Sequence, residues 1–291
     1  KVVKYVDIPL QHIAAHILEE QRRKTGVEYF DYYLIHDVTR EHCEVYDALD
    51  CFTWVADKKA ASLIKHIGFS FHGDAIFLEE FLTAHEGLFE FVQLQINYLD
   101  WESDRVQSRL CYEVARKHNM PIIVMEPVKG GALVNLPQPA VEEFKKLGDA
   151  TPVSYALRYA ASFPEVFMVL SGMGNMEMME SNIRTMHPFV PLNEEELAAT
   201  DKAREIIRQY NQIPCTKCRY CAEVCPKNVP IADLFAIYNE YALARITRKE
   251  ARGGFDAYEV KAGDCIECGK CEKICPQSIT IRDNLKKLAK M

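Results

Sequence analysis

Short apolar runs alternate with helix-like stretches over roughly the first 190 residues. The clearest runs are rich in β-branched and aromatic residues and span 32–35, 67–70, 91–95, 121–125 and 166–170, with residues 1–8 as one further candidate strand. Helical spacing predicts helices near 13–24, 44–62, 75–86, 104–119, 152–162 and 176–186. Nearly continuous apolar strands separated by helices are typical of a parallel α/β sheet that is buried on both faces.

The pattern changes near residue 190. Asn193, with Glu196 three positions later, predicts a helix over residues 193–210 that begins with a capping box. Pro214 ends that segment, and a cysteine-rich region follows in which Gly253 and Gly254 predict a loop. The sequence therefore divides into residues 1–190, a connecting helix in residues 191–212, and a small domain in residues 213–291.

The small domain contains an internal cysteine repeat. The motif Cys-x2-Cys-x2-Cys-x3-Cys-Pro occurs twice, as Cys215, Cys218, Cys221 and Cys225, and as Cys265, Cys268, Cys271 and Cys275. In two-cluster ferredoxins three cysteines of such a run bind one cluster, and the cysteine before proline binds the other. The spacing predicts an α+β ferredoxin-like domain with two [4Fe–4S] clusters. Cys215, Cys218, Cys221 and Cys275 would hold one cluster, and Cys265, Cys268, Cys271 and Cys225 the other.

Zinc and plain thiols are the alternatives for these cysteines. Zinc sites usually pair two Cys-x2-Cys knuckles, which this spacing fits poorly. Eight of the eleven cysteines fall in the two motifs, and this clustering favours metal ligation in a reducing compartment over disulfides. We expect Cys43, Cys51 and Cys111, which lack partners at ligand spacing, to be buried small hydrophobic residues.

Composition narrows the range of partners and locations. The chain has 291 residues, 48% hydrophobic and 26% charged, with a net charge of −7. Mild acidity argues against nucleic acid or an anionic membrane as a main partner. No apolar run approaches the roughly 20 residues that a membrane-spanning helix needs, and the first residues do not resemble a signal peptide. We therefore expect a cytoplasmic protein.

Several strand ends resemble those of a known family. The segments are Tyr-Tyr-Leu-Ile-His at 32–36, Gly-Phe-Ser-Phe-His at 68–72, Val-Gln-Leu-Gln at 92–95, Met-Glu-Pro-Val-Lys-Gly-Gly at 125–131 and Leu-Ser-Gly-Met-Gly-Asn-Met at 170–176. In this order they resemble the aldo/keto reductases, and with the cysteine region the whole chain resembles the ferredoxin-fused branch of that family. The resemblance implies a (β/α)8 TIM-barrel fold with its active site at the carboxyl ends of the strands.

The same resemblance implies roles for five residues. His36 matches the active-site histidine that orients and polarises a substrate carbonyl. Ser70 and Gln93 match residues that hydrogen-bond the nicotinamide carboxamide, while Gly172 and Asn182 match the loop and helix that face the adenosine end of NAD(P)H. From the residues alone, His36 is better interpreted as a structural histidine, and neighbouring side chains could satisfy Gln93.

The chain departs from the family pattern in several places. No lysine stands near residues 7–9, where the catalytic lysine is expected, and the catalytic aspartate and tyrosine belong to elements that precede this sequence. Met125 replaces the aromatic residue that stacks on the nicotinamide, and Gly172 and Met178 replace basic residues that bind the 2′-phosphate. Since we predict six strands and a closed barrel of this type needs eight, we expect a fragment that is incomplete at the N-terminus by about two βα units.

Three hypotheses about the function compete. The first is an oxidoreductase that couples a carbonyl or alcohol reaction of a small-molecule substrate to electron transfer through the clusters, with a redox partner protein. Nicotinamide transfers two electrons as hydride, whereas each cluster transfers one electron. Direct coupling would therefore need an intermediary, and a flavin is one candidate for it. The alternative is an electron-transfer and docking module whose barrel has lost catalysis. In a third view the clusters are structural or sense oxygen.

Overall fold

The computed structural model describes residues 5–6, 15–210 and 212–291. Its six strands are parallel, and their order in the sheet equals their order in the chain. The strands are β1 Tyr5–Val6, β2 Phe30–Val38, β3 Ile64–Phe71, β4 Phe91–Gln95, β5 Ile122–Met125 and β6 Val166–Val169. This sequential parallel order is that of the (β/α)8 barrel class. Residues 7–9, where the sequence lacks the expected lysine, lie outside the described residues.

Helices connect the strands and form the C-terminal region. They are α1 Ala15–Thr25, α2 Arg40–Ala48, α3 Cys51–Ala60, α4 Ala75–Ala84, α5 Ser108–Lys117, α6 Gln138–Lys145, α7 Pro152–Ala161, α8 Met176–Met186, α9 Glu194–Arg208, α10 Tyr220–Glu223, α11 Ile231–Ala242, α12 Arg248–Asp256, α13 Lys270–Lys273 and α14 Ile281–Ala289. The predicted helix at 44–62 is two helices, because Asp50 adopts a left-handed conformation with φ 57° between α2 and α3. None of the described helices is both long and apolar enough to cross a membrane.

One prediction for the C-terminal region is wrong. Gly253 and Gly254 lie inside α12 and not in a loop, since the capping box of Thr247 and Glu250 starts a helix that continues through them. Within residues 212–291 the described elements are short helices joined by tight turns. Two of these turns are alike in the two cysteine repeats: Ile231 donates to the Val229 carbonyl and Ile281 to the Ile279 carbonyl, each at 2.8 Å.

Contacts divide the chain into two compact units. The N-terminal unit comprises residues 1–127 and 157–191, and the C-terminal unit comprises residues 128–156 and 192–291. The segment after β5 thus groups with the cysteine region, which sequence patterns did not indicate. Within the C-terminal unit α6 packs against α9, and Arg245 donates to the carbonyls of Asn135 and Leu136 at 2.6 and 3.2 Å. The boundaries 1–190, 191–212 and 213–291 stay a prediction.

The capping box predicted at residue 193 is confirmed. The side chain of Asn193 accepts from the Glu196 N–H, and the Glu196 carboxylate accepts from the Asn193 N–H, both at 2.9 Å. We expect Asn193→Ala to destabilise the C-terminal unit by about 1 kcal/mol, because one N–H at the helix start loses its acceptor. Denaturant unfolding measures this. Asn193→Ser should stay near wild type, and equal losses in both variants would contradict a capping role.

Candidate metal centre and barrel site

The two cysteine repeats have the same backbone conformation. Lys217 and Arg219 have positive φ in the first loop, and Glu267 and Gly269 have positive φ at the corresponding positions of the second. A four-residue helix follows in each repeat, α10 and α13, and carries the third cysteine. Alternation of right- and left-handed residues creates backbone concavities that hold anionic groups, including Fe–S clusters. The local fold therefore suits a cluster loop in both repeats.

Each repeat contributes cysteines to two separate cavities. The first cavity is lined by Cys215, Cys218, Cys221 and Cys275. Its empty volume is about 320 Å³, which includes the space at its mouth that is open to solvent. The second, of about 330 Å³, is lined by Cys225, Cys265, Cys268 and Cys271. The last cysteine of each repeat thus lies with the first three of the other. Apolar side chains complete the walls, among them Ile231, which borders both cavities.

The donor set and its surroundings fit an iron–sulfur cluster. Cys221 and Cys271 are buried in an apolar core formed by α11 and α14 with Leu234, Phe235 and Leu285. Burial raises the pKa of the Cys221 thiol to about 12. An uncompensated thiolate is therefore unfavourable, and iron would supply the balancing positive charge. Among the described residues no three His, Cys, Asp or Glu side chains converge on one point as a single metal ion requires.

The other cysteines lie away from these cavities. Cys51 and Cys111 are buried in the N-terminal unit, and Cys43 is half-buried there. Burial raises the pKa of Cys43 and Cys111 to about 12 and that of Cys51 to about 11. Thiols that resist ionisation in this way behave as small apolar side chains, in agreement with the expectation for Cys51 and Cys111.

The ends of β2 and β3 bring His36 and Ser70 into one neighbourhood. Ser70 is fully buried, and its Oγ accepts from the Asp37 N–H at 2.7 Å. Asp37 has a left-handed backbone with φ 56°, and the Tyr46 hydroxyl donates to the His36 carbonyl. The backbone at the end of β2 is therefore fixed by two hydrogen bonds to side chains, one from Tyr46 and one to Ser70. Ser70 has a structural bond to the backbone there, whatever else its hydroxyl binds.

Gln93 lies in the middle of β4 and is 3% exposed. Its Nε2 lies 3.5 Å from the Met125 sulfur on the neighbouring strand. The structure thus places a predicted carboxamide-binding residue beside the methionine that replaces the family's stacking aromatic residue. A sulfur is a weak acceptor, so the contact between this amide and Met125 is a weak one.

Gly172 and Asn182 lie near each other after β6. The Asn182 amide donates to Ser171 Oγ at 2.9 Å, which ties α8 to the residue before Gly172. Gly172 is exposed, and a Cβ there would meet no described atom within 4 Å. Asn175 caps α8 by accepting from the Met178 N–H at 2.9 Å. The loop thus has space for a ligand beside the start of a helix.

Comparison with known proteins identifies both parts of the chain. The model of the aldo/keto reductase family matches residues 11–205, and the model of the 4Fe-4S dicluster domain matches residues 214–280. The chain belongs to the aldo/keto reductase family. This is a family of oxidoreductases, and the dicluster match shows that an iron–sulfur domain follows the family's barrel domain. A search of curated proteins found no significant match.

Solved structures support the fold of this aldo/keto reductase. A holo-form aldo-keto reductase of Bacillus halodurans is 20% identical, with 65% of this chain and 63% of that chain covered and a TM-score of 0.51. One of Klebsiella pneumoniae in complex with NADP and acetate is 18% identical, with 66% and 65% covered and a TM-score of 0.53. The chain spans slightly less than two thirds of the length of these structures. Incompleteness at the N-terminus stays a prediction.

A buried polar network at the end of β4 was missed by the sequence interpretation. Asp100, 5% exposed, accepts from Gln95 Nε2 at 2.7 Å and from Asn97 Nδ2 at 2.9 Å. Asn97 also donates to the Glu126 carbonyl at 3.0 Å, and Ser108 donates to the Gln95 carbonyl at 2.7 Å. The polar residues at alternating positions continue beyond Gln95 to Asn97, and this pattern could have indicated the network. The network joins the ends of β4 and β5, where an aldo/keto reductase has its active site.

Proposed function

We propose that this chain is an iron–sulfur oxidoreductase with two [4Fe–4S] clusters, coupling a carbonyl or alcohol reaction of a small molecule to one-electron transfer. The observation that carries the proposal is the pair of four-cysteine cavities, each completed by the last cysteine of the other repeat. Two sites so close in one small unit favour electron transfer over a single structural role. A redox partner protein and a reducing, cytoplasmic location form part of the proposal.

The cysteines would hold iron in a largely apolar environment. Burial of the sulfurs and hydrogen bonds to them are the means by which a protein adjusts a cluster's reduction potential. Four thiolates per cavity, provided by two separate loops, also link metal binding to folding of the C-terminal unit. Anaerobically purified protein should contain about eight iron atoms per chain with a broad visible absorption. Iron near zero would refute the proposal.

In the N-terminal unit the proposed ligand is NAD(P)H, which supplies hydride when bound. Gln93 would bind the carboxamide, Asn182 and Gly172 would border the adenosine end, and His36 would orient the carbonyl. The bonds from Tyr46 to the His36 carbonyl and from Asp37 to Ser70 fix the backbone that carries the histidine. Preorganised polar groups of this kind lose little free energy in ordering when a ligand binds.

We expect Gln93→Leu to weaken NADPH binding by about tenfold, because a buried ligand amide would lose its partner. Isothermal titration of the anaerobic protein measures the dissociation constant. Gln138→Leu, at an exposed position of α6, is the matched control and should bind like wild type. If Gln93→Leu also binds like wild type, Gln93 is satisfied by its neighbours and has no role in cofactor binding.

The electron-transfer and docking module remains the second candidate. The observation that favours it is the Ser70 hydroxyl, which already accepts from the Asp37 N–H, together with Met125 beside Gln93. A protein that binds two clusters but no NAD(P)H would support the module. Bleaching of the cluster absorbance by NADPH would support the enzyme, and release of a yellow chromophore on denaturation would identify a flavin as intermediary.

A further inference from the structure

The two cavities differ in the residue that follows each Cys-Pro pair. In the second repeat this residue is Gln277, which is 4% exposed and lines the first cavity. In the first repeat the corresponding residue is Lys227, which is exposed and lines the second cavity. The internal repeat therefore places a buried amide at one site and a solvated ammonium at the other.

A segment outside the repeat contacts the first cavity. Lys129, 3% exposed, directs its Nζ to Gln277 Oε1 at 3.4 Å. The next residue, Gly130, approaches Thr216 so closely that a Cβ would lie 2.6 Å from the Thr216 Cα. Thr216 follows Cys215 in the first cluster loop and lines the same cavity. Residues 129 and 130 thus pack against both loops that provide the cysteines of the first cavity.

The contact with Lys129 directs the oxygen of the Gln277 amide toward the lysine. Because Oε1 accepts from the ammonium, the Nε2 hydrogens lie on the other side of the amide group. Hydrogen-bond donors and positive charge near a cluster stabilise its more negative, reduced state. The dipole of a buried amide acts through a lower effective dielectric constant than the charge of an exposed lysine, which water and salt screen.

We propose that Gln277, oriented by Lys129, is a positioning residue that raises the reduction potential of the cluster in the first cavity above that of the cluster in the second. This inference rests on the proposed function. One electron then passes downhill from the reduced cluster of the second cavity to the oxidised cluster of the first. The former is oxidised by one electron and the latter reduced by one.

A redox titration of the anaerobic holoprotein, followed by electron paramagnetic resonance, tests the proposal. Cys221→Ser, which removes a ligand of the first cavity, identifies the signal of the other cluster. In wild type the first-cavity cluster should be reduced first. Gln277→Leu and Lys129→Met should each lower the reduced-to-oxidised ratio of that cluster about tenfold at a fixed potential, which is about 59 mV for one electron. The double variant should add little, since Lys129 acts through Gln277.

Lys227→Met is the matched control, because it neutralises an exposed lysine at the repeat-related position. It should leave the first-cavity potential unchanged and shift the second-cavity potential by much less than tenfold. If Gln277→Leu loses iron, the near-isosteric Gln277→Glu carries the test and should also lower the potential. Intact clusters with unchanged potentials in the Gln277 and Lys129 variants would overturn the inference. Absence of iron in wild type would refute the proposed function instead.

Discussion

Cys221→Ser should lower the iron content of the purified protein from about eight to about four atoms per chain, because it removes one thiolate from the first cavity. Cys275→Ser should have the same effect and leave the same surviving cluster, although residue 275 belongs to the other repeat. Cys225→Ser should instead leave the cluster that survives in Cys271→Ser. Iron and sulfide analysis with electron paramagnetic resonance distinguishes these outcomes.

Which variants lose the same cluster tests whether the last cysteine of each repeat binds the cluster of the other repeat. If each repeat bound its own cluster, Cys275→Ser would match Cys271→Ser and not Cys221→Ser. Cys43→Ser, in the N-terminal unit, is the control and should retain all the iron. We also expect the Cys221 and Cys275 variants to unfold at lower denaturant concentration, since metal binding and folding are linked in such domains.

Gly68→Ala should destabilise the N-terminal unit by about 1–3 kcal/mol, as overpacking of a close-packed core typically does. A Cβ on Gly68 would lie 2.3 Å from the ring of Phe91, its neighbour on β4. That ring is 1% exposed and packs with Leu34 and Ile123, so it has little room to move. Thermal unfolding should show the melting temperature of this unit reduced by roughly 5 °C.

Gly174→Ala is the control for this substitution. A Cβ at Gly174 would meet no described atom within 4 Å, and its φ is not in the left-handed region, so stability should change little. Gly68→Ala combined with Phe91→Leu should recover part of the loss, because the smaller side chain vacates the space that the methyl group needs. Wild-type stability of Gly68→Ala would show that the sheet accommodates the methyl group by shifting.

Local features of the chain were predictable wherever one short segment carries the whole signal. The five strands from β2 to β6, the capping box of Asn193 and the repeated cysteine motif each depend on residues a few positions apart. The errors arose where local signals compete. Gly253 and Gly254 are typical of loops, yet a strong helix start at Thr247 carries the helix through them. Asp50 divides one long apolar pattern into two helices by its backbone conformation.

The features of the candidate sites likewise fall into those that the sequence predicted and those that only the tertiary structure revealed. The sequence by itself determined the parallel α/β order and the repeated cysteine motif, because periodicity and spacing are properties of neighbours along the chain, and its strand-end segments indicated the family by resemblance. Only the tertiary structure decided the contact of Lys129 with Gln277, 148 positions apart, and the network around Asp100. Such contacts depend on where distant segments meet when the core packs, and no spacing rule encodes that.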